Sequence, residues 1–500
     1  MEAYQDNYNL VPSNTVPAKA ALSPTSVLLP LALAQFIASY AASNMNVAIS
    51  NIAVDLGTSV RGVQTAITFF TLTMAALMIP GSKLTDIWGR KRCFVIGLIV
   101  YGLGALIAAL AQGLGVLIFG YSLLEGVGSA LMIPPIYILV TVTFRSLESR
   151  AKSFGIVSAA AGIGAAAGPL IGGVITSGIS WRASFIVQAL VVATIIVLSR
   201  RIADAGIQGA RPRFDVTGAV LSAAGLFFVV SGILLSGTYG WLAAREAFSI
   251  GTTVVIPQGG ISPVWLFVAI GALILVGFFL HARSWERAGK EPLLPTRLFR
   301  NRVSNLGLVT QNVQWLTLQG SFFVISVFLQ QVRGFSAIQT GLMLTPATIG
   351  ILITAALAER MAKRRPQRTL IWAGFVMSIL GTLLLLALVN ATSGIITFIP
   401  GLLLMGAGIG AMLTASVNVV QSAFPEQDQG EISGLSRAVS NLGSSLGTAI
   451  VGSVLVAQLL EGNKNIALAL ITMAIIGGIG LVAALLLPAQ RTTTQPSQTA

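Results

Sequence analysis

Long apolar runs recur along this chain, and each is long enough to cross a bilayer. A spanning helix needs about 20 apolar residues. Such runs fall near 27–50, 62–80, 93–111, 115–142, 152–176, 182–199, 215–236, 263–281, 303–331, 336–358, 369–390, 394–421, 432–457 and 465–488. Lipid cannot hydrogen-bond a bare backbone, so each run must satisfy its own N–H and C=O groups as a helix. The expected fold class is therefore an all-α membrane protein of 14 transmembrane helices. With 9% charged residues in 500, little chain is left for a soluble domain, and any function must sit in the membrane.

Charged segments divide the runs. Arg200–Arg213 follows the sixth helix and Arg283–Arg302 the eighth, giving groups of six, two and six. The expected organisation is a disordered tail (1–26), an N-terminal six-helix bundle (27–200), a linker with inserted helices 7 and 8 (201–290), a C-terminal six-helix bundle (291–488) and a second tail (489–500). The opening segment carries Pro12, Pro17 and Pro24 and lacks the basic, apolar and cleavage regions of a signal peptide. If each helix switches sides, 25 of the 30 Lys and Arg lie on the side of the termini, against Arg61, Arg182, Arg245, Arg333 and Lys464 on the other. The positive-inside bias then places both termini in the cytoplasm.

The net charge of +14 is confined to these loops and forms no continuous basic face, so no nucleic-acid partner is expected. One cysteine, Cys93, and one histidine, His281, leave no basis for a disulfide or a Cys/His metal site. His281 reads as a boundary residue at the end of helix 8. There is no GxxxxGK[ST] phosphate loop, and no cofactor or metal is expected. A membrane-embedded enzyme would need a nucleophile with a base, or a metal, and the composition does not supply them.

The two six-helix groups repeat one another. Asp86 with Arg90, Lys91 and Arg92 is matched by Glu359 with Lys363, Arg364 and Arg365 at an offset of 273. Gly126, Gly128 and Phe144 match Gly406, Gly408 and Phe424 at 280, and Gly164 and Gly168 match Gly443 and Gly447 at 279. Three ordered signals at nearly one offset indicate duplication, the plan of transporters that hold substrate between two halves. Helices 7 and 8 lie outside the repeat.

Three motifs stand out. GSKLTDIWGRKR, residues 81–92, reads as a charged loop with a tight turn, in which Gly81 and Gly89 permit close backbone approach. GAAAGPLIGG, residues 164–173, puts Gly164, Gly168 and Gly172 on one helix face, with Pro169 and Gly173 beside them, suiting close packing and a bend. EGVGSALMIPP, residues 125–135, begins with Glu125, the one acid well inside an apolar run. An ionised carboxylate there costs about 2.5–3.5 kcal/mol even on a lenient insertion scale, so it should pair with a cation or hold a proton.

On these motifs, over nearly its whole length, the chain resembles the major facilitator superfamily and its fourteen-helix drug and proton antiporter branch. The resemblance implies two pseudo-symmetric bundles plus an inserted helix pair, an antiport role for the helix 5 motif, and a cytoplasmic gate of Gly81, Asp86, Gly89 and Arg90. In that gate Asp86 pairs with Arg90 or latches helix 13, where Arg437 is a second partner. Relatives usually carry an aspartate in helix 1 and an arginine in helix 4; the matching positions here are Ala41 and Ser122, and Glu125 replaces the usual glutamine.

Helices expected to line a transport path carry polar stripes at helical spacing. These are Gln35, Ser39, Ser43 and Asn46 in helix 1, and Asn312, Trp315 and Gln319 with Gln311 and Gln314 in helix 9, while Tyr40 and Tyr121 add aromatic surface. The expected function is export of lipophilic, cationic drug-like compounds in exchange for protons, with Glu125 as the coupling acid. The alternative is export of an endogenous metabolite or lipid, either coupled to protons or not. The expected setting is a monomer in a bacterial inner membrane, with small-molecule substrate, protons and lipid as partners.

Overall fold

A computed structural model describes residues 24–144, 147–202, 213–250, 253–362, 365–390, 392–425, 428–456 and 464–488. The expected tails, most of the first charged linker, and Lys363 and Arg364 of the repeat lie outside the described residues. The 14 spans are α1 (Val27–Val47), α2 (Val60–Trp88), α3 (Arg90–Ala109), α4 (Leu114–Thr143), α5 (Lys152–Gly178), α6 (Trp181–Ser199), α7 (Val216–Tyr239), α8 (Pro263–Arg287), α9 (Arg302–Val332), α10 (Ala337–Ala358), α11 (Gln367–Leu388), α12 (Ile395–Gln421), α13 (Glu431–Leu455) and α14 (Asn465–Leu486). Helix ends are set locally. Ser59, Ser180, Asp215, Ser262 and Asn301 each accept an N–H of the first turn that follows, satisfying donors the helix cannot.

The repeat is visible in backbone contacts. A Cβ built on Gly164 or on Gly443 would fall 2.4 or 2.2 Å from the carbonyl oxygen of Phe36 or Asn312, so α5 lies on α1 as α13 lies on α9. Likewise Gly128 meets Tyr101 N and Gly97 O, and Gly408 meets Ser378 N and Gly374 O, so α4 lies on α3 as α12 lies on α11. Helices that touch through glycine exchange side-chain volume for interhelix dispersion, the usual source of association in lipid. The result is two like six-helix bundles, α1–α6 and α9–α14.

The inserted pair packs through its own glycines, Gly225 and Gly271, which each approach the other's carbonyl oxygen. α7 also leans on α2 and α13: Phe227 sits 5.9 Å from Phe69, and Arg61 donates to Thr238 Oγ1 and Gly237 O. Between α7 and α8 is a short antiparallel hairpin, β1 (Phe248–Ile250) and β2 (Thr253–Ile256). At the other end, buried Asp215 accepts from Gly218 N and Leu293 N and pairs with His281 Nε2 at 2.9 Å. His281 therefore ties α8 to the start of α7 and to the connector before α9, a fixed role that its position near a helix end does not reveal.

The segment 81–92 is not a loop. Gly81 to Trp88 is the last part of α2, Arg90 opens α3, and Gly89 alone makes the turn at φ +97°. The two glycines act differently. A Cβ on Gly81 would fall 2.2 Å from Ala130 O on α4, whereas one on Gly89 would meet open space. Close approach thus applies to Gly81, and positive φ to Gly89.

On the face opposite the termini, Arg182 pairs with Asp55 and donates to Ala111 O, while Trp181 Nε1 donates to Asp55 at 2.9 Å. The hydrogen bond from Arg182, then that from Trp181, holds the Asp55 carboxyl below the usual carboxylate range. With the folded value below the unfolded one, this contribution is present above about pH 4 and is lost as pH falls through the folded value. Asp55→Asn is expected to cost about 0.5–1 kcal/mol, the size for a half-exposed pair. In thermal melts the gap from wild type should close on acidification, and a gap independent of pH would refute the pairing.

Candidate substrate cavity and coupling site

The halves meet along two seams, α2 with α13 and α5 with α10. On the face of the termini, Lys83 Nζ lies 3.2 Å from Glu431 Oε1, and Arg297, in the turn Thr296–Arg300 before α9, reaches Glu431 Oε2 and Asp428 Oδ1, both at 2.9 Å. On the opposite face, Gln64 Nε2 donates to Thr448 O (3.1 Å), Gln330 Nε2 to Asn46 O (2.9 Å), and Ile338 N to Ser177 Oγ (2.9 Å). Between these seals Ser445 Oγ donates to Thr68 O at 3.1 Å, and Gln319 Nε2 to Ala42 O at 2.8 Å.

The seals enclose a central cavity of about 40 Å³, room for about three waters at 10–15 Å³ each. Gln35, Ser39 and Ser43 of α1 face it, as do Trp315 and Gln319 of α9. Their spacing of four places each set on one helix face. Asn46 leaves that face because α1 changes to a tighter 3₁₀ turn at Met45–Val47, and its backbone serves the seal to Gln330. Gln311 bonds Ser440 and Ser436 and Asn312 bonds Val439 O, so these two tie α9 to α13, while Gln314 is buried and does not line the cavity. Tyr40 and Tyr121 turn into the N-terminal bundle, to Ser184 and to Ala41 O.

Arg437 also lines the cavity, with Ser440, Asn441 and Ser444 of α13. Its guanidinium donates to the Tyr137 hydroxyl and lies 4.8 Å from the centre of that ring, and Tyr137 donates on to Gln35 Oε1 at 3.3 Å. Asp86, by contrast, is exposed, and Arg437 points to Tyr137. The expected Asp86–Arg437 latch is replaced by Lys83 with Glu431, three residues earlier on α2 and six earlier on α13. Arg90 is half-buried at the start of α3, and Lys91 Nζ donates to Ile202 O at 2.6 Å, tying α3 to the end of α6. Sequence reasoning missed Lys83, Arg297 and Glu431; the acid-rich segment before helix 13 was the available signal.

The α5 motif divides its work. Gly164, Gly168 and Gly172 face Phe36, Ser43 and Asn44 of α1, within one half. Gly173 meets Ala337 O, and Pro169 O lies against Gly341, so these two touch α10 across the seam. The i, i+4 row selects the first face, and the residue next to Gly172 is rotated by about 100°.

Glu125 is fully buried and does not line the cavity. It closes a π-helical turn, Ile118–Glu125, a distortion frequent at functional sites. Its backbone N lies against Gly104 of α3, and its side chain faces the Tyr101 hydroxyl. Tyr101 spends its proton on Gln188 Oε1 at 2.6 Å, and neither Glu125 oxygen has a hydrogen-bond partner among the described residues. Tyr101 and Tyr121 both reach backbone carbonyls of α1, Ile37 O and Ala41 O. These tyrosines lie beside Glu125 and reach α1, the helix that presents Gln35, Ser39 and Ser43 to the cavity.

Among the described residues, twelve of the fourteen membrane helices form two like bundles about a partly polar cavity, with one helix pair inserted between them, the architecture of a transporter. The chain belongs to the Major Facilitator Superfamily, whose profile matches residues 31–448 and 307–500. It is a multi-pass membrane protein of a family that handles small-molecule substrates. It is 29% identical over 419 residues to a probable actinorhodin transporter of Streptomyces coelicolor, covering 82% of this chain and 68% of that one. It is 28% identical over 415 residues to the multidrug resistance protein Stp of Mycobacterium tuberculosis (83% and 73%), and 27% identical over 435 residues to a tetracenomycin C resistance and export protein of Streptomyces glaucescens (86% and 76%). A crystal structure of the peptide transporter POT with sulfate superposes with a TM-score of 0.63 at 15% identity, covering 92% of this chain and 93% of that one, a likeness of fold alone.

Proposed function

We propose that this chain exports lipophilic small molecules in exchange for protons, by rocking its two halves about the central cavity. The observation that carries this reading is the pair of seals, Lys83–Glu431 on one face and Gln64–Thr448 on the other, made between halves on either side of one partly polar cavity. Alternate opening of the seals would expose that chamber to each side in turn. The division at 27–200, 201–290 and 291–488 supplies the moving parts. The Lys and Arg bias supports cytoplasmic termini, and in this reading the protein works as a monomer in a bacterial inner membrane.

In this reading Glu125 carries the coupling proton. A carboxylate buried without a cation or hydrogen-bond donor is neutral when protonated and strongly disfavoured when charged. Its effect would reach substrate through α1, whose Ala41 O accepts from Tyr121, one turn before Glu125 on α4, and which carries Gln35, Ser39 and Ser43 at the cavity. A membrane potential supplies about 2.3 kcal/mol per charge per 100 mV, more than the ~1.4 kcal/mol of a tenfold gradient. Relatives named for resistance and others named for export of one antibiotic are compatible with drug efflux and with release of a self-made compound alike. In this reading the substrate is not restricted to cations, since among the described residues the lining contains a cation and no acid.

Glu125→Gln is expected to abolish substrate efflux driven by a pH gradient in proteoliposomes, by about 100-fold, while counterflow exchange of substrate continues. Wild-type pH-driven efflux in that variant would remove Glu125 from the mechanism.

A further inference from the structure

We propose that the central cavity selects lipophilic anions, and that Arg437 determines this preference. The proposal rests on the transport reading above and names the substrate class of the same site. Among the described lining residues Arg437 is the one charged side chain, and no carboxylate lines the cavity. Glu125, the acid buried within α4, does not line the cavity. A lipophilic cation would meet a guanidinium with nothing to balance either charge. A carboxylate, sulfonate or phenolate on an aromatic body would meet a planar fork of donors suited to it.

The fork is held ready. The Tyr137 ring face supports the guanidinium at 4.8 Å, and its hydroxyl accepts from Nη2, so the side chain is ordered before any ligand arrives. Met74, Met78, Ile133 and Phe322 supply apolar lining alongside the polar groups of Ser39 and Asn441. Arg437 belongs to α13 and Tyr137 to α4, so this contact also joins the halves. An anion that takes Arg437 from Tyr137 loosens one contact of the closed state, making recognition and opening one event. An interior-negative potential further favours the exit of an anion.

Fluorescein and rhodamine 6G share a xanthene frame and carry opposite charge, which isolates the sign. Binding of each to the purified full chain in detergent is measured by fluorescence anisotropy for wild type, Arg437→Gln and Arg437→Lys, with a thermal melt to establish folding. Fluorescein is expected to bind wild type at least 10-fold tighter than rhodamine 6G, to weaken at least 10-fold in Arg437→Gln, and to weaken by a smaller factor in Arg437→Lys, which keeps the charge but loses the planar fork. Tighter binding of rhodamine 6G to wild type, binding of neither dye, or an unchanged ratio in folded Arg437→Gln overturns the proposal. If Arg437→Gln does not fold, Arg437→Lys and Tyr137→Phe decide it, since a rhodamine preference in either refutes anion selection. Dye that binds as expected but is not moved by proteoliposomes leaves the charge preference standing and removes the transport reading.

Discussion

A disulfide joining cysteines at Ser82 and Gly434, in a Cys93→Ser background, will halt transport, and reduction will restore it. A Cβ built on Gly434 lies 3.4 Å from Ser82 Cβ, close to the mean spacing of about 3.8 Å in disulfides. The two positions lie beside the Lys83–Glu431 bridge on the α2–α13 seam. If that seam must part for substrate to reach the cavity, a covalent tie across it should remove more than 90% of transport under oxidising conditions, with recovery in dithiothreitol. The protein should remain folded, because the tie fixes a geometry it already adopts. Full transport with the disulfide formed, as read by mobility on a non-reducing gel, would mean that this face does not open there.

The second large effect is at Gly81. A valine must place a Cβ and two methyl groups where Ala130 O already stands at 2.2 Å from the nearest of them. Backbone cannot rotate away as a flexible side chain can, so α2 and α4 must separate, at a cost of about 4 kcal/mol, in the severe range for overpacking. Most of the protein should then be lost before purification, and the remainder should melt many degrees lower. Gly89→Ala, eight residues on, meets open space and suffers only its positive φ, a strain of about 1–3 kcal/mol. Fluorescence-detected size exclusion should therefore rank wild type, Gly89→Ala and Gly81→Val in that order. Equal damage at the two sites would contradict the separate roles.

How far the residues announced this site depends on how each was positioned. The spans could be read because lipid demands continuous apolar helix, and the duplication because glycine spacing survives where backbones touch, as in Gly164 on Phe36 and Gly443 on Asn312. Gln35, Ser39 and Ser43 were legible by their period of four, and Asn46 was not, since the period ends at the 3₁₀ turn beginning at Met45. The seal was hidden for another reason. Lys83 and Glu431 are 348 residues apart, and Arg297 joins them from a third segment. Nothing local fixes the register of α2 on α13, so Asp86 and Arg437 were equally plausible partners. The burial of Glu125 follows from its apolar run, but its place away from the cavity depends on helix rotation, which a uniformly apolar run leaves open.

The inserted pair makes the two seams unequal. α7 covers α2 and α13 where they meet, through Phe227 on Phe69 and through Arg61 on Gly237 and Thr238. No comparable helix stands over α5 and α10 among the described residues, where Gly173 and Gly341 bring the two backbones together. One flank of the chamber is thus sheathed by a third helix, while the other carries no such cover among the described residues. A molecule already dissolved in the bilayer meets a wall two helices thick on the first side and one glycine-lined joint on the second. The extra helices thereby give a pseudo-symmetric transporter a front and a back within the membrane plane.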